Sequence, residues 1–229
     1  MTGFLGDPAR AAAVAVARER IEPGMTIGLG SGRAVFALID LLATTWPGPR
    51  PLRAVAASSR TEARARSAGI ELIGLDDDRT LDLAVDGADE IDPDLRLLKG
   101  GGGALLREKL VIAAARHVVI VAESPKLVPQ LGTTKALPVE VVRFAWPSTR
   151  TRLLDLLPTA TLRRTPDKTP VTTDEHHHLL DCTLPTIDLP TLAAAIKSTL
   201  GVVEHGLFLD QADEAFVGHP DGTVKTLSR

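Results

Sequence analysis

The sequence is poor in cysteine, with a single one, Cys182, among 229 residues. One cysteine cannot form an internal disulfide, so the sequence predicts a protein of a reducing cytoplasm. The apolar neighbours Leu179 and Leu180 indicate that Cys182 is a small buried side chain rather than a catalytic thiol.

An excess of charge of either sign is also missing. The formal net charge is −3, whereas general nucleic-acid and membrane-surface binders are usually basic. No apolar run approaches the roughly 20 residues that span a bilayer, and the N-terminal segment lacks the apolar core of a signal peptide. These absences predict a soluble cytoplasmic protein that binds neither nucleic acid nor membranes. A small anionic substrate is still compatible with them, because local positive groups can outweigh a mildly negative total.

What the chain does contain, up to about residue 122, is an alternation of short apolar strands and amphipathic helices. Asp7 and Pro8 are typical of a helix start, and the Pro47-Gly48-Pro49 run of a helix end. The predicted strands cover 25–29, 52–56, 70–74, 81–85 and 118–122, and the predicted helices 8–20, 33–45, 59–68 and 105–116. Such alternation predicts an α/β fold with a mainly parallel, Rossmann-like sheet covered on both faces.

The periodicity changes after Gly132. Strands are predicted at 139–144, 160–164, 177–182 and 202–209, with helices at 148–157 and 189–200. The order β-α-β-β-α-β is that of a split βαβ unit, so we predict a smaller ferredoxin-like α+β lobe.

A glycine-rich loop, Gly28-Leu29-Gly30-Ser31-Gly32, joins the first strand to the second helix. The free N–H groups at the start of a helix favour a phosphate or carboxylate there. The same loop also permits a dinucleotide-binding interpretation, with Ser58-Ser59-Arg60 after the second strand. That alternative lacks the acidic ribose partner at the second strand.

The segment from Asp86 to Glu108 is the most informative part of the chain. Asp86-Gly87-Ala88-Asp89-Glu90 follows a buried strand, and Lys99 opens a run of four glycines that Arg107-Glu108-Lys109 follows. Four consecutive glycines carry a large conformational-entropy cost, so they indicate a backbone that must approach a ligand closely. The acids on either side are candidate proton-transfer groups. A turn explains Asp92 and Asp94 well, and solvated helix charges are the ordinary interpretation of Glu108 and Lys109.

Taken together, these motifs resemble ribose-5-phosphate isomerase of the A type nearly end to end. Their order and spacing carry the resemblance, since each motif alone is weak. They are Gly28 to Gly32, Ala57-Ser58-Ser59 with Thr61, Asp86 to Glu90, Lys99 to Gly103, Arg107-Glu108-Lys109, Ser124-Pro125-Lys126, Pro138-Val139-Glu140-Val141, Gly201-Val202-Val203 and Gly206-Leu207-Phe208.

The resemblance implies interconversion of D-ribose 5-phosphate and D-ribulose 5-phosphate through an enediolate, in the non-oxidative pentose phosphate pathway, with no cofactor and no metal. It implies Glu108 as the catalytic base, Lys99 with the glycine loop as the oxyanion stabiliser, and Asp86 as a proton relay. The residues implied to contact substrate are Ser31, Gly32, Arg33, Ala34, Asp86, Gly87, Ala88, Asp89, Lys99, Gly100, Gly101, Gly102 and Lys126.

The resemblance also bears on domains and assembly. Relatives return their last segment to the first domain, which implies a Rossmann-like catalytic domain of residues 1–131 plus 203–229 and a small lobe of residues 132–202. It further implies a homodimer or a homotetramer.

The chain departs from the family in the phosphate loop, where Arg33 and Ala34 replace two hydroxyl residues. Arg33 could grip phosphate in a bidentate manner or point to solvent, and Arg10 is a weaker candidate where relatives often carry lysine. His176-His177-His178 is interpreted as surface or interface rather than a metal site, because neighbours on a strand alternate between faces. A non-catalytic sugar-phosphate-sensing domain is the alternative function.

Overall fold

The computed structural model describes residues 6–46, 48, 50–76 and 80–229. The described chain forms two compact units. The first unit comprises Met1–Ala88, Arg107–Leu127 and Asp210–Arg229, and the second unit comprises Asp89–Leu106 and Val128–Leu209.

The first unit contains an α/β sheet with its helices. Its strands are β1 (Thr26–Leu29), β2 (Arg53–Ala56), β3 (Glu71–Leu72), β4 (Leu83–Gly87), β7 (Val118–Glu123), β13 (Glu214–Gly218) and β14 (Val224–Ser228). Its helices are α1 (Pro8–Arg18), α2 (Arg33–Thr45), α3 (Ser59–Ser67) and α4 (Leu105–Ala113), whose first two residues belong to the second unit.

The strands of this sheet run in the order β14-β13-β7-β4-β1-β2-β3. All neighbouring pairs are parallel except β13 with β14. The parallel strands therefore follow the doubly wound order 3-2-1-4-5-6, and the chain reverses direction across the sheet between β1 and β4. The predicted Rossmann-like sheet is confirmed.

Local sequence signals explain where these helices begin. Asp7 accepts hydrogen bonds from the N–H groups of Ala9 and Arg10 at the start of α1, as the sequence predicts. Helix α2 starts after Gly32, whose φ of 92° lies in the region that favours glycine. Its inner face is buried against the sheet through Val35, Leu38 and Leu42, among others. Burial of this apolar face provides most of the stability of such a helix.

The second unit contains a four-stranded antiparallel sheet and two helices. The strands are β8 (Leu137–Val141), β9 (Ala160–Leu162), β10 (His178–Cys182) and β11 (Val202–His205), and the helices are α5 (Trp146–Leu153) and α6 (Leu189–Lys197). The order β11-β8-β10-β9 is the split βαβ arrangement, which confirms the predicted ferredoxin-like lobe. A separate apolar core lies within this unit.

A second, three-stranded sheet in this unit was not expected. It consists of β5 (Glu90–Ile91), β6 (Leu97–Leu98) and β12 (Leu207–Phe208). The sequence predicts one strand over 202–209, but Gly206 divides it, because its N–H donates to the Pro138 carbonyl and its carbonyl accepts from Lys99 N–H. Strands of two residues are too short to show a periodic pattern.

Helix α4 is also shorter than the predicted 105–116. It ends at Ala113, since Leu81 then forms backbone hydrogen bonds with Ala114 and Arg116. The two units also group residues 89–106, 128–131 and 203–209 differently from the predicted domains, so that domain division stays a prediction. Within the described ranges, no helix is long and apolar enough to cross a membrane.

Candidate active site

Two strands of the first unit end side by side where the strand order reverses. The C-terminus of β1 leads into Gly30 and Ser31, and β4 ends with Asp86 and Gly87. Gly30 N–H donates to the carbonyl of Val85, which links the two strand ends directly. In open α/β sheets, ligands bind at the carboxyl ends of the strands at this reversal. The topology therefore marks this edge as the candidate site.

The carboxylate of Asp86 fills the space between these strand ends. It is 1% exposed and accepts hydrogen bonds on Oδ1 from the N–H of Ser31 at 3.0 Å and of Gly87 at 2.7 Å. A Cβ atom at Gly30 would overlap the carboxyl carbon of Asp86. The loop thus needs glycine at position 30 to admit the carboxylate, and the carboxylate in turn holds the loop.

A chain of hydroxyl groups supports the loop from its other side. Ser31 Oγ lies 3.1 Å from Ser58 Oγ, which lies 2.8 Å from Thr61 Oγ1, and Thr61 Oγ1 donates to the Gly30 carbonyl at 2.8 Å. Ser58 also caps α3 by accepting from Thr61 N–H. The motif Ala57-Ser58-Ser59 with Thr61 therefore positions the glycine loop.

The first turn of α2 presents N–H groups beside this loop. Among the described residues, no side chain forms a capping hydrogen bond at that end of the helix. Arg33, the first helical residue, is exposed, whereas Ala34 is buried and faces Gly87. An uncapped helix start with an adjacent cation is suited to binding a phosphate.

A second buried carboxylate, Glu108, lies in the first turn of α4 and is 5% exposed. Val111, one turn later, packs so closely on β1 that a Cβ atom at Gly28 would overlap it. The side of α4 that carries Glu108 therefore faces the sheet. Because α4 crosses over between the parallel strands β4 and β7, its first turn lies at the carboxyl edge, as Asp86 does.

Two cations share one carboxylate at the end of β7. Glu123 binds Arg10 Nε at 2.6 Å and Lys126 Nζ at 3.1 Å. Burial raises the pKa of Glu123, but Lys126 and Arg10 outweigh burial, so its pKa lies below the usual value. Arg10 is 7% exposed and also binds Asp7. Glu123 therefore stays ionised and holds both cations at this edge.

The remaining predicted site residues lie in the second unit. Lys99 is 2% exposed, and its ammonium group lies 5.4 Å from the centre of the Phe208 ring. Gly100, with φ of 101°, begins a turn that Gly103 N–H closes onto the Gly100 carbonyl at 3.0 Å. Asp89 accepts the N–H of Gly101 at 2.7 Å. Gly101 and Gly102 are exposed, as a ligand-binding loop requires.

Comparisons with known proteins agree with this geometry. The family profile described as ribose 5-phosphate isomerase A (phosphoriboisomerase A) matches residues 53–222. The chain is 46% identical to ribose-5-phosphate isomerase A of Synechococcus sp. (strain JA-3-3Ab), over 96% of this chain and 97% of that protein. It is 47% identical to the Caulobacter vibrioides protein of that name, over 91% and 93% of the two chains. The chain belongs to the ribose 5-phosphate isomerase A family.

Solved structures of the family have the same fold. A D-ribose-5-phosphate isomerase in complex with phospho-erythronic acid superposes with a TM-score of 0.90 at 33% identity, covering 96% of this chain and 98% of that one. Ribose 5-phosphate isomerase from Plasmodium falciparum gives a TM-score of 0.89 at 34% identity, covering 97% and 98%. The predicted family and isomerase function are confirmed, and the sensing-domain alternative is not favoured.

The structure distributes the predicted site residues over both units. Those of the first unit are Ser31, Gly32, Arg33, Ala34, Asp86, Gly87, Ala88, Glu108 and Lys126, and those of the second are Asp89, Lys99, Gly100, Gly101 and Gly102. Their catalytic and binding roles stay predictions.

Glu90, at the end of the acidic block, is fully buried and accepts N–H groups of Gly132, Thr134 and Lys135, so it orders a loop.

The surface interpretation of the histidine run holds for His176, which is exposed, but not for His178. His176 lies in a turn with φ of 62°, whereas His178 is buried on β10. His177 Nδ1 lies 2.9 Å from Glu140, a buried carboxylate whose pKa burial raises although His177 and Thr173 oppose the shift. Among the described residues, no three histidine, cysteine or acidic side chains are grouped for a metal ion.

Cys182 is fully buried, as the sequence predicts. Burial raises the pKa of its thiol to about 12, so a nucleophilic thiolate does not form at neutral pH.

Sequence reasoning missed Arg163, which donates to the carbonyls of Gly100 and Gly101. Only the side-chain contact identifies it, since residues 62 or 63 positions apart share no local pattern.

The fit between Gly30 and Asp86 can be tested by Gly30→Ala. The added methyl group displaces the Asp86 carboxylate, and we expect kcat/KM for isomerisation to fall roughly 10²-fold, as misplacement by about 1 Å can cause. Steady-state kinetics measure the effect, and Gly6→Ala, where a Cβ meets nothing within 4 Å, is the control. Equal activity in the two variants would show that the carboxylate position does not matter.

Proposed function

We propose that the chain interconverts D-ribose 5-phosphate and D-ribulose 5-phosphate at the carboxyl edge of the first unit's sheet. The names of its relatives and the phospho-erythronic acid bound to one of them support this substrate. The observation that carries the proposal is the pair of buried carboxylates, Asp86 and Glu108, on elements whose ends meet at that edge. Buried carboxylates at the ligand-binding edge of a sheet are candidates for proton transfer.

Glu108 acts as the general base. It removes the proton from C2 of the open-chain aldose and returns it to C1, which passes through an enediolate and needs no cofactor. The carboxylate lies in the first turn of α4, where the helix start is suited to a nearby acidic group. A helix also holds the base more rigidly than a loop would, which keeps it in line with the substrate.

Asp86 moves protons among the sugar oxygens and assists ring opening. Its Oδ1 atom accepts two backbone N–H groups, so the orientation of the carboxylate is fixed before substrate binds. Lys99 stabilises the negative charge that develops on the enediolate, together with N–H groups of the glycine loop. Gly101 N–H already donates to Asp89. We therefore assign the oxyanion role in the loop to Gly102 N–H, with Asp89 also contacting sugar hydroxyls.

The phosphate group binds at the first turn of α2, through Ser31 and the N–H groups of residues 32–34. Arg33 adds a bidentate charged donor to this helix start. Lys126, which Glu123 binds together with Arg10, places an ammonium group at the same edge of the sheet, where it contacts the substrate. Fixing the phosphate orients C1 and C2, so remote binding also accelerates the proton transfer.

The base is tested by Glu108→Gln, which keeps the size of the side chain and removes its basicity. We expect turnover to fall roughly 10³-fold, with substrate affinity retained in calorimetric titration and solvent deuterium no longer entering the product. Glu62→Gln is the control, because Glu62 is an exposed glutamate paired with Arg66 on α3. Turnover near that of the unaltered protein would remove Glu108 from the chemistry.

The phosphate grip is tested by Arg33→Ala. Loss of a charge-assisted contact should raise KM roughly 10-fold or more while kcat changes little. The same change at Arg66, exposed on α3, should leave KM unaltered. Equal KM values for the two variants would mean that Arg33 points to solvent and that backbone N–H groups hold the phosphate alone.

We further propose that the chain forms the homodimer or homotetramer expected from its family. In the second unit, Val142 N–H donates to the Gly201 carbonyl, so the end of β8 lies beside Leu200. Phe144 is 89% exposed and Leu200 76% exposed, and exposed apolar side chains of this size are typical of interfaces.

Light scattering at micromolar concentration tests the assembly. We expect a mass of two or four chains for the unaltered protein and a smaller mass for Phe144→Ser. A mass of one chain contradicts the assembly, and a multimer that Phe144→Ser leaves intact contradicts the role of this patch.

A further inference from the structure

A single guanidinium group in the second unit holds two carbonyls of the glycine loop. Arg163, which follows β9, donates from Nη1 to the carbonyls of Gly100 and Gly101, both at 3.1 Å. Its side chain is 17% exposed. The positively charged guanidinium of Arg163 therefore fixes the loop that carries the predicted oxyanion donors.

The same guanidinium group is itself fixed by a carboxylate. Asp181, on β10, accepts from Arg163 Nε at 3.1 Å and 2.9 Å on its two oxygens, and Nη2 also binds Asp181. This fork leaves Arg163 little freedom to rotate, because a planar guanidinium pairs with a carboxylate in a defined geometry. Nη1 is thus held toward the loop.

The consequence for the loop follows from the planarity of peptide bonds. The carbonyl of Gly100 and the N–H of Gly101 belong to one trans peptide, and they point in opposite directions. Arg163 holds the carbonyl and Asp89 Oδ2 accepts the N–H at 2.7 Å. This peptide is therefore fixed at both ends.

The next peptide is held at one end only. Arg163 binds the Gly101 carbonyl, so the N–H of Gly102 points away from Arg163, and nothing in the described part of the chain accepts it. A cation on the carbonyl polarises the peptide and strengthens its N–H as a donor. Gly102 N–H is therefore both aimed and made a stronger donor by Arg163.

Backbone contacts of Arg163 do not depend on this side chain. Its N–H donates to the Leu179 carbonyl, and its carbonyl accepts from Val171. Truncation of the side chain therefore leaves these strand contacts in place. What it removes is the constraint on a run of four glycines, which have the largest conformational freedom to regain.

We propose that Arg163, oriented by Asp181, is a positioning residue for the isomerase reaction that aims Gly102 N–H at the enediolate oxygen. This inference rests on the proposed function. Arg163 acts through the loop rather than on the substrate, so its loss lowers kcat and leaves substrate binding through the phosphate intact. A residue with a purely structural role would instead lower stability without a selective effect on kcat.

The experiment compares Arg163→Ala with Arg164→Ala. Arg164 is the adjacent exposed arginine, which donates to the Lys168 carbonyl within its own turn. We expect kcat for ribose 5-phosphate to fall roughly 10- to 100-fold in Arg163→Ala, with KM within about twofold and the melting temperature within a few degrees. Arg164→Ala should match the unaltered protein. Millimolar guanidinium ion should restore part of kcat to Arg163→Ala alone.

The outcomes are distinct. Equal kcat in Arg163→Ala and Arg164→Ala overturns the inference, and so does a loss confined to KM, which would place Arg163 on the substrate. If Arg163→Ala does not fold, Arg163→Lys and Asp181→Asn replace it, and unchanged kcat in both of them overturns the inference. An unaltered protein without isomerase activity refutes the proposed function instead.

Discussion

The site depends on one buried carboxylate at the point where the strand order reverses. Asp86 accepts N–H groups from Ser31, which follows the neighbouring strand β1, and from Gly87 at the end of its own strand. A side chain at position 30 would overlap this carboxylate. Burying a carboxyl group away from water is costly unless it accepts hydrogen bonds. These two donors supply such bonds to Oδ1, and they also set the course of the loop that leads into α2. The start of α2, where we propose that phosphate binds, and the acid are consequently positioned by the same contact.

In the second unit, the four-glycine loop is ordered by its neighbours and is still left exposed. Four glycines allow a close approach of backbone to ligand, yet they favour disorder. Arg163 and Asp89 bind opposite ends of one peptide, and the Gly100–Gly103 turn closes on itself. Gly101 and Gly102 still remain exposed. The charged side chains of Arg163 and Asp89 thereby make the loop rigid, while its exposed glycines stay accessible to a ligand.

How far the sequence predicts this structure depends on the range of the interactions. Helix α2 was predicted over 33–45 and is found there, because the signals for its start and its end lie next to it in the sequence. The split βαβ lobe was predicted for the same reason. The position of Glu108 beside the glycine run made it a candidate proton-transfer group, but its predicted role as the base came from the resemblance, since a glutamate in a first helical turn is ordinarily solvated. Strands β5 and β6 and the loop contacts of Arg163 were not predictable, because distant backbone and side-chain partners create them and no local pattern encodes such pairings.

The net charge of the chain does not indicate that the ligand is an anion. The ion pairs of the structure explain why. The chain carries −3 overall, but several of its acids are neutralised by adjacent cations. Arg64 binds Asp40, Arg20 binds Glu214, and Glu123 holds Arg10 and Lys126 together. Fields from such pairs fall off quickly in salt, so the potential at the start of α2 is set by groups within one Debye length. At the start of α2, the helix N–H groups and Arg33 supply positive charge. An anionic sugar phosphate requires this local charge, whatever the net charge of the chain.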